Sequence, residues 1–185
     1  MLQCSLYEKN KMKNFFITLS MKILYFILKL FKKNGGNLLG KIAYDWNPKI
    51  FKYFKINCPI IAVTATNGKT MTNNAIGYIL QSAGKKVISN TEGNNMETGI
   101  LSTLLKSCSL TGKIKADYLV FEVDEGYVPI IFKDLKLDSL IILDFFRDQL
   151  DRNGEVESLI LKINDFLKTY TGNLILNNDD PNVSR

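Results

Sequence analysis

Apolar residues in the second half of the chain occur in short blocks that alternate with amphipathic stretches. The first block, residues 60–63, is short and β-branched, as expected for a fully buried parallel strand. Further strands are predicted over 86–89, 116–123, 139–143 and 173–176, and helices over 71–83, 97–107, 127–135 and 155–169. This alternation predicts a P-loop-containing α/β fold with a mainly parallel, doubly wound sheet and helices on both faces.

The first part of the chain has a helical pattern instead. Residues 14–33 are rich in Phe, Ile and Leu, and Thr18, Lys22, Lys29 and Lys33 align on one helical face. Such an amphipathic helix either lies on a membrane interface or packs on its own domain. Its lysines interrupt the apolar run that a spanning helix needs, and no cleavage site of a secretory signal follows.

The segments around this helix set the predicted domain boundary. Residues 1–13 are polar and basic, and we expect them to be an extension rather than folded structure. Residues 34–37, Asn-Gly-Gly-Asn, are a break, and 38–54 is predicted to form one or two short helices. We therefore predict a basic amphipathic N-terminal segment over 1–36 and a nucleotide-binding domain over 37–185.

Charge is distributed unevenly along the chain. Residues 1–58 contain 11 Lys and no Arg against Glu8 and Asp45, so their net charge is +9 and that of the remainder is −3. The basic segment is consistent with an anionic surface partner, membrane headgroups rather than nucleic acid, and equally with an ordinary solvated basic face. Cys4, Cys58 and Cys108 show no metal-ligand spacing and are interpreted as reduced thiols of a cytoplasmic protein.

The candidate chemistry begins where the first strand ends, in residues 65–70, Ala-Thr-Asn-Gly-Lys-Thr. Thr66, Asn67 and Gly68 form a tight loop whose N–H groups can face phosphate oxygens. Lys69 brings a positive charge to the β- and γ-phosphates, and the Thr70 hydroxyl can bind Mg²⁺. The strand–loop–helix context favours a nucleotide site over a plain glycine turn. The Walker A match is incomplete, because a valine stands at its first glycine.

Polar residues also follow the next two strands. Asn94 and Asn95 carry amides that both donate and accept hydrogen bonds, as an adenine edge or a phosphate requires. Glu122, Asp124 and Glu125 are three carboxylates within four residues. Their charges are costly beside a phosphate loop unless a cation is present, so we expect Glu122 to hold Mg²⁺ and its neighbours to position substrate or the waters of the ion.

The last two strands end in similar elements. Residues 144–152 mix three Asp with Arg147 and Arg152, which either clamp a phosphate or carboxylate or pair with their acidic neighbours. Asn177 and Asp180 follow the final strand and suit a base or ribose hydroxyls. The chain contains no histidine, which excludes a catalytic triad or a histidine base supplied by this chain.

Taken in order, these elements closely resemble the central ATPase domain of the Mur ligase family. The resemblance runs over residues 37–185 and rests on the loop at 66–70, Glu-Gly-Asn-Asn at 92–95, Glu122, Asp-Gln-Leu-Asp-Arg at 148–152 and Asn-Asn-Asp-Asp-Pro at 177–181. Within that family the chain is most similar to amide-forming subunits that work with a separate glutaminase. Gln149 stands where many members have a metal-binding histidine.

The resemblance implies a function and a role for each matched residue. The function is ATP-dependent amidation of the D-glutamate α-carboxylate of lipid II, through an acyl phosphate and with ammonia from a GatD-like glutaminase. The implied cofactors are ATP and Mg²⁺, and the implied location is the cytoplasm, at the inner membrane face. The implied roles are phosphate binding by Lys69 and the loop backbone, Mg²⁺ binding by Thr70 and Glu122, and nucleoside binding by Asn95 with Asn177 or Asp180.

The sequence departs from the family pattern in two respects. Ala65 replaces the usual loop glycine and is expected to weaken nucleotide binding. The zinc ribbon and C-terminal domain of these subunits have no counterpart in residues 1–185, so we expect an incomplete sheet and a chain that is inactive alone. Two alternatives stay open: a non-catalytic ATP-binding scaffold, and a folylpolyglutamate-synthase-like ligase, which shares the loop but not the element at 144–152.

Overall fold

The computed structural model describes residues 2–90, 94–146 and 156–184, with side chains described from residue 10 in the first helix and from residue 157 in the last. Its strands are β1 Ile60–Thr64, β2 Val87–Ser89, β3 Tyr118–Glu122, β4 Ser139–Ile142 and β5 Asn173–Leu176. They form one parallel sheet in the order β2-β3-β1-β4-β5. The predicted α/β fold with a parallel sheet is confirmed.

The central position of β1 places the candidate loop in the middle of the sheet. Ile60 of β1 pairs with Leu119 of β3, and Ile61 pairs with Ser139 of β4. Both neighbouring strands end close to the loop because parallel strands share one carboxyl edge. Burial follows the same order, since β1 and β3 are almost wholly buried while every residue of β5 is exposed.

Helices connect these strands and precede them. They are α1 Leu2–Leu30, α2 Leu38–Trp46, α3 Lys69–Ser82, α4 Glu97–Ser107, α5 Val128–Phe132 and α6 Val156–Leu167, with short 3₁₀ helices at Ile50–Tyr53 and Glu125–Tyr127. The element types match the predicted pattern, and α4 matches its predicted bounds. Among the helices described, none is long and apolar enough to cross a membrane.

Contacts divide the chain into two compact units. The helical unit comprises Met1–Asn57 and Glu97–Lys115, and the sheet unit comprises Cys58–Met96 and Ala116–Arg185. This division differs from the boundary placed at residue 36 on composition. The helical unit is held by α2 against α4, where the Gly40 N–H donates a buried hydrogen bond of 2.7 Å to Ser102 Oγ. All the candidate site residues belong to the sheet unit.

One expectation about the first helix is wrong. Residues 2–13 are helical rather than an unfolded extension, because α1 begins at Leu2. Thr18, which the sequence aligns with Lys22 and Lys29 on one helical face, is not exposed. It is fully buried with Asn14, Ile17 and Met21 on the face that packs inside the helical unit. Packing on its own domain, one of the two predicted roles of this helix, is therefore observed.

Candidate active site

The phosphate loop occupies residues 65–68, between β1 and α3. Gly68 has φ +80°, in the left-handed region that glycine adopts without strain from a Cβ. It directly precedes Lys69, the first residue of α3. The first N–H groups of a helix have no intrahelical partner and carry the positive end of its dipole. The local sequence thus places helix N–H groups at the carboxyl edge of the central strand, which is a favourable position for an anion.

Asp144, which follows β4, accepts hydrogen bonds from the backbone of this loop. The Asn67 N–H donates to Asp144 Oδ1 at 2.8 Å, and the Thr66 N–H donates to the Asp144 carbonyl at 3.0 Å. The Phe146 N–H donates to Thr66 Oγ1 at 2.9 Å. These bonds occupy two of the loop N–H groups that were predicted to face phosphate, so the anion contacts of the backbone begin at Gly68.

Lys69 is the buried cation of the site, with 6% of its surface exposed. Its Nζ donates to the carbonyl of Ala65 and, at 3.2 Å, to the carbonyl of Thr66. The same Nζ lies 3.6 Å from Glu125 Oε2. A buried ammonium group needs such partners, and a bound phosphate can replace them with a stronger charge-assisted contact.

Three buried carboxylates lie at this edge of the sheet, at and just after the end of β3. Glu122, Asp124 and Glu125 are each at most 3% exposed. Burial raises the pKa of Glu125, while a backbone hydrogen bond and the charge of Lys69 oppose that shift. The cost of burying this charge exceeds the stabilisation from these contacts. Lys69 therefore offsets only part of the desolvation cost of Glu125. An additional cation beside the cluster would relieve the same cost.

Glu122, the last residue of β3, is fixed by two asparagines. Asn90 Oδ1 accepts the Glu122 N–H at 2.9 Å, and Asn90 Nδ2 donates to the Glu122 carbonyl at 2.7 Å. Asn95 Nδ2 lies 3.4 Å from Glu122 Oε1. Asn90 was not among the predicted site residues. Its only signal in the sequence is an amide placed directly after a strand.

Asp124 lies beyond the end of β3, so strand alternation does not set its direction. It caps the 3₁₀ helix Glu125–Tyr127, where Asp124 Oδ1 accepts the Gly126 N–H at 3.2 Å. Its own N–H donates to the Asn95 carbonyl at 2.9 Å. Asp124 and Asn95 therefore fix the short connection between Glu122, at the end of β3, and Glu125.

Asn177 and Asp180 follow β5 in a tight turn. Asn177 is exposed, and its Oδ1 accepts the Asp179 N–H at 3.1 Å. Asp180 is 4% exposed, and its Oδ1 accepts the N–H groups of Asn182 and Val183 at 2.7 and 3.1 Å. Its second oxygen, Oδ2, is buried without a hydrogen-bond partner. Asp180 Oδ2 is thus a buried acceptor without a hydrogen-bond donor.

The donor set at the loop suits a magnesium ion that is bound mainly by phosphate and water. Over the described ranges, no three His, Cys, Asp or Glu side chains are grouped to hold a metal. Mg²⁺ in nucleotide sites commonly uses one or two protein oxygens besides phosphate and water. The exposed Thr70 in the first turn of α3 and the buried Glu122 are the residues that fit this requirement.

Part of the sequence prediction falls on residues that the structure does not describe. Gly93 of the Asn-rich turn lies outside the described residues. So do Arg147, Gln149 and Arg152, on which the proposed anion clamp and the histidine replacement rest.

The structure brings a glycine turn, a buried lysine and a helix N-terminus to the carboxyl edge of a parallel sheet. This is the arrangement expected of a P-loop fold. Residues 63–185 match the family described as the Mur ligase middle domain. The chain therefore belongs to the Mur ligase family, as the motifs predicted.

The curated relatives narrow this assignment. The chain is 36% identical, over 83% of its length, to the subunit MurT of lipid II isoglutaminyl synthase (glutamine-hydrolyzing) from Staphylococcus aureus strain COL. It is also 36% identical, over 80% of its length, to the MurT subunit from Streptococcus pneumoniae. It covers 34% and 33% of these two proteins, or about a third of each.

Solved structures show the same fold at lower identity. MurF from Acinetobacter baumannii matches with a TM-score of 0.61 and 19% identity, over 77% of this chain and 31% of that one. A pseudomurein peptide ligase type C from Methanothermus fervidus matches with a TM-score of 0.56 and 25% identity, over 74% and 27%. Thermotoga maritima MurF, solved in complex with ADP, matches with a TM-score of 0.54 and 20% identity, over 70% and 30%.

Proposed function

We propose that this chain supplies the ATP-binding part of an amide ligase that converts the D-glutamate α-carboxylate of the lipid II stem peptide to D-isoglutamine. In this reaction a carboxylate oxygen attacks the γ-phosphorus and ADP leaves. Ammonia then attacks the acyl carbon, phosphate leaves and the nitrogen loses a proton. A GatD-like glutaminase would supply the ammonia, as a subunit separate from this chain.

One observation carries this proposal: the buried Lys69, the first residue of α3, lies 3.6 Å from the buried carboxylate of Glu125 in a chain similar to MurT subunits. Lys69 Nζ would leave Glu125 and the loop carbonyls to bind the transferred phosphate. The free N–H groups at the start of α3 would add to this contact. Together they would stabilise the charge that builds on the phosphoryl group during transfer.

For the metal we propose Thr70 and Glu122, with Asp124 capping the turn that follows Glu122. Bound Mg²⁺ would neutralise phosphate charge during the transfer. Glu122 is suited because Asn90 and Asn95 fix its backbone and one of its oxygens. Its charge is needed beside the ion, so Glu122→Gln should keep most nucleotide affinity and lose the Mg²⁺-dependent reaction.

For the nucleoside we propose Asp180, whose buried Oδ2 lacks a partner, together with the neighbouring Asn177. Asn95 is less available for this role than the sequence predicted, because its amide lies at Glu122 Oε1 and its carbonyl accepts the Asp124 N–H. Release of the weak 3.4 Å contact to Glu122 would be required before Asn95 could bind a base.

The location that suits this function is the cytoplasm, at the inner face of the membrane. ATP is available there, and the proposed substrate is a membrane lipid with an anionic head. The excess of lysine in the helical unit supports a negatively charged surface as its neighbour.

The test is conversion of lipid II by the chain, supplemented with the parts of a MurT subunit that it does not cover and with a GatD-like glutaminase. Mass spectrometry should detect the amidated stem peptide only when Mg·ATP and glutamine are both supplied. Lys69→Ala and Glu122→Gln should abolish the product, while Lys162→Ala on the exposed surface of α6 should not. ATP hydrolysis stimulated by folate and glutamate, without amidated lipid II, would instead favour the folylpolyglutamate-type ligase.

A further inference from the structure

The outer face of α1 carries a row of exposed apolar side chains. Its inner face packs through Asn14, Ile17, Thr18 and Met21, which are all buried. The outer row, called the outer stripe here, is between 43% and 72% exposed and consists of Met12, Phe16, Ile23, Phe26, Ile27, Leu30 and, just past the helix, Phe31. At 3.6 residues per turn these positions fall on one side of the helix, so the exposed apolar surface is continuous.

The outer stripe is bordered by positive charge. Lys11, Lys22 and Lys29 lie about a quarter-turn from it on one side, and Lys13 lies on the other. Lys32 and Lys33 follow the end of the helix. Residues 10–33 contain no Asp, Glu or Arg, so these six lysines are the only charged side chains of the segment. Lysines in such border positions reach anionic groups while their stems cover apolar surface.

The charge of the whole helical unit has the same sign. Its residues contain 14 Lys and three acidic residues, a net charge of +11, whereas the sheet unit has a net charge of −5. The two units, at +11 and −5, therefore differ more in net charge than residues 1–58 and the remainder of the chain, at +9 and −3. An anionic partner would be attracted specifically to the unit that presents the outer stripe.

From this combination we propose that α1 docks in the plane of an anionic phospholipid membrane, with the outer stripe among the acyl chains and the lysines at the headgroups. An apolar face with a lysine border and no membrane-spanning capacity is the pattern of interfacial helices. Trp46, which is 51% exposed and lines a shallow groove with Phe16, adds an aromatic side chain suited to the headgroup level.

Charge argues against a second copy of this chain as the occupant. A symmetric dimer through the outer stripe would bring two lysine borders together, and it would place no acidic side chain of residues 10–33 opposite them. An anionic lipid membrane offers acyl chains to the outer stripe and negatively charged headgroups to the lysines. The docking does not depend on the ligase reaction proposed above, because none of the site residues lies in α1.

The experiment is co-sedimentation of the chain with vesicles of phosphatidylglycerol mixed with phosphatidylcholine, and with vesicles of phosphatidylcholine alone. We expect binding to the anionic vesicles that weakens with salt and is at least tenfold weaker on neutral ones. Replacing Lys11, Lys13 and Lys29 with glutamine should weaken it by about fivefold per lysine. The double variant Phe16→Glu/Phe26→Glu should weaken it by at least tenfold.

The control is Leu161→Glu, which places one glutamate at an exposed leucine of α6 in the sheet unit. It should bind vesicles like the unaltered chain, and circular dichroism should show that every variant is folded. Binding that is absent, or is lost equally in Leu161→Glu, overturns the proposal. So does a dimer in sedimentation equilibrium that Phe16→Glu/Phe26→Glu dissociates. Nucleotide binding, measured separately, would be unaffected in either case.

Discussion

Asp144 shows how a single side chain can shape the phosphate loop without touching phosphate. Its Oδ1 accepts the Asn67 N–H, and its carbonyl accepts the Thr66 N–H. The side-chain bond fixes the peptide that leads into Gly68. It thereby positions the N–H groups available to an anion.

We therefore expect Asp144→Ala to weaken Mg·ATP binding about fivefold, the equivalent of one net hydrogen bond of roughly 1 kcal/mol. Asp144→Asn, which keeps an acceptor oxygen, should bind within about twofold of the unaltered chain. Isothermal titration calorimetry measures both. Equal affinity for all three proteins would show that Asp144 does not position the loop.

Glu125 gives the site a pH signature. Its pKa is raised by burial, so the folded chain holds this proton at pH values where the unfolded chain has lost it. Stability must then fall as the pH rises above the ordinary value of 4.5. The amide at position 125 of the variant Glu125→Gln cannot ionise, so this part of the pH dependence of stability should be absent from the variant.

Urea unfolding of the unaltered chain and of Glu125→Gln, at about pH 5 and about pH 7, tests this sign. The variant should gain stability relative to the unaltered chain at the higher pH. A difference between the two proteins that is independent of pH would mean that Glu125 has an ordinary pKa in the folded state.

Single site residues could be predicted from the sequence where their immediate neighbours identify them. Lys69 follows a glycine turn, and Glu122 ends a buried strand, so both could be placed near the site. Asn90 and Asp144 act through partners 32 and 77 residues away. No local pattern records such a pairing, and only the packed sheet shows which backbone groups they hold.

Between elements, α2 packs closely on α4 at Gly40. A Cβ at Gly40 would come within 1.8 Å of the Thr98 carbonyl oxygen, a backbone atom that cannot rotate away. Gly40→Ala should therefore push the helices apart and destabilise the helical unit by about 1–3 kcal/mol.

The matched control is Gly77→Ala in α3, where an added Cβ meets nothing within 4 Å. In a helix interior this exchange should stabilise by about 0.5–1 kcal/mol. Thermal denaturation monitored by circular dichroism compares the two variants. Similar melting temperatures for both would show that the helices do not pack as closely as described.

Prediction succeeded better for the strands and α4 than for α1. The strands and α4 follow from hydrophobic blocks that are bounded by polar residues. The lysines of α1 marked a polar face, but Thr18 on that face is buried while a row of apolar residues is exposed. Amphipathic pattern identifies two faces of a helix, and packing decides which one is covered.

For the molecule as a whole, the similarity to MurT covers about a third of the curated proteins. Phosphoryl transfer to a carboxylate needs an oriented acceptor and the exclusion of water. A domain that closes over the substrate commonly supplies both. We expect the 185-residue chain alone to amidate lipid II at background rate, even with ATP, Mg²⁺ and free ammonia.

Mass spectrometry of the stem peptide measures this, first with the chain alone and then with the glutaminase added. Product from the chain alone, at the rate of an intact two-subunit enzyme, would show that the substrate site lies within these residues. The segment before β1 would then be the place to search for it.

The central claim is that the loop before α3 binds a nucleotide through Lys69, and calorimetric titration with Mg·ATP tests it most directly. The unaltered chain should bind, and Lys69→Ala should lose about 10- to 150-fold in affinity, equivalent to the roughly 1.5–3 kcal/mol of a charge-assisted contact. Lys162→Ala should bind like the unaltered chain. Unchanged affinity in a folded Lys69→Ala variant would contradict the account and make the loop a structural turn.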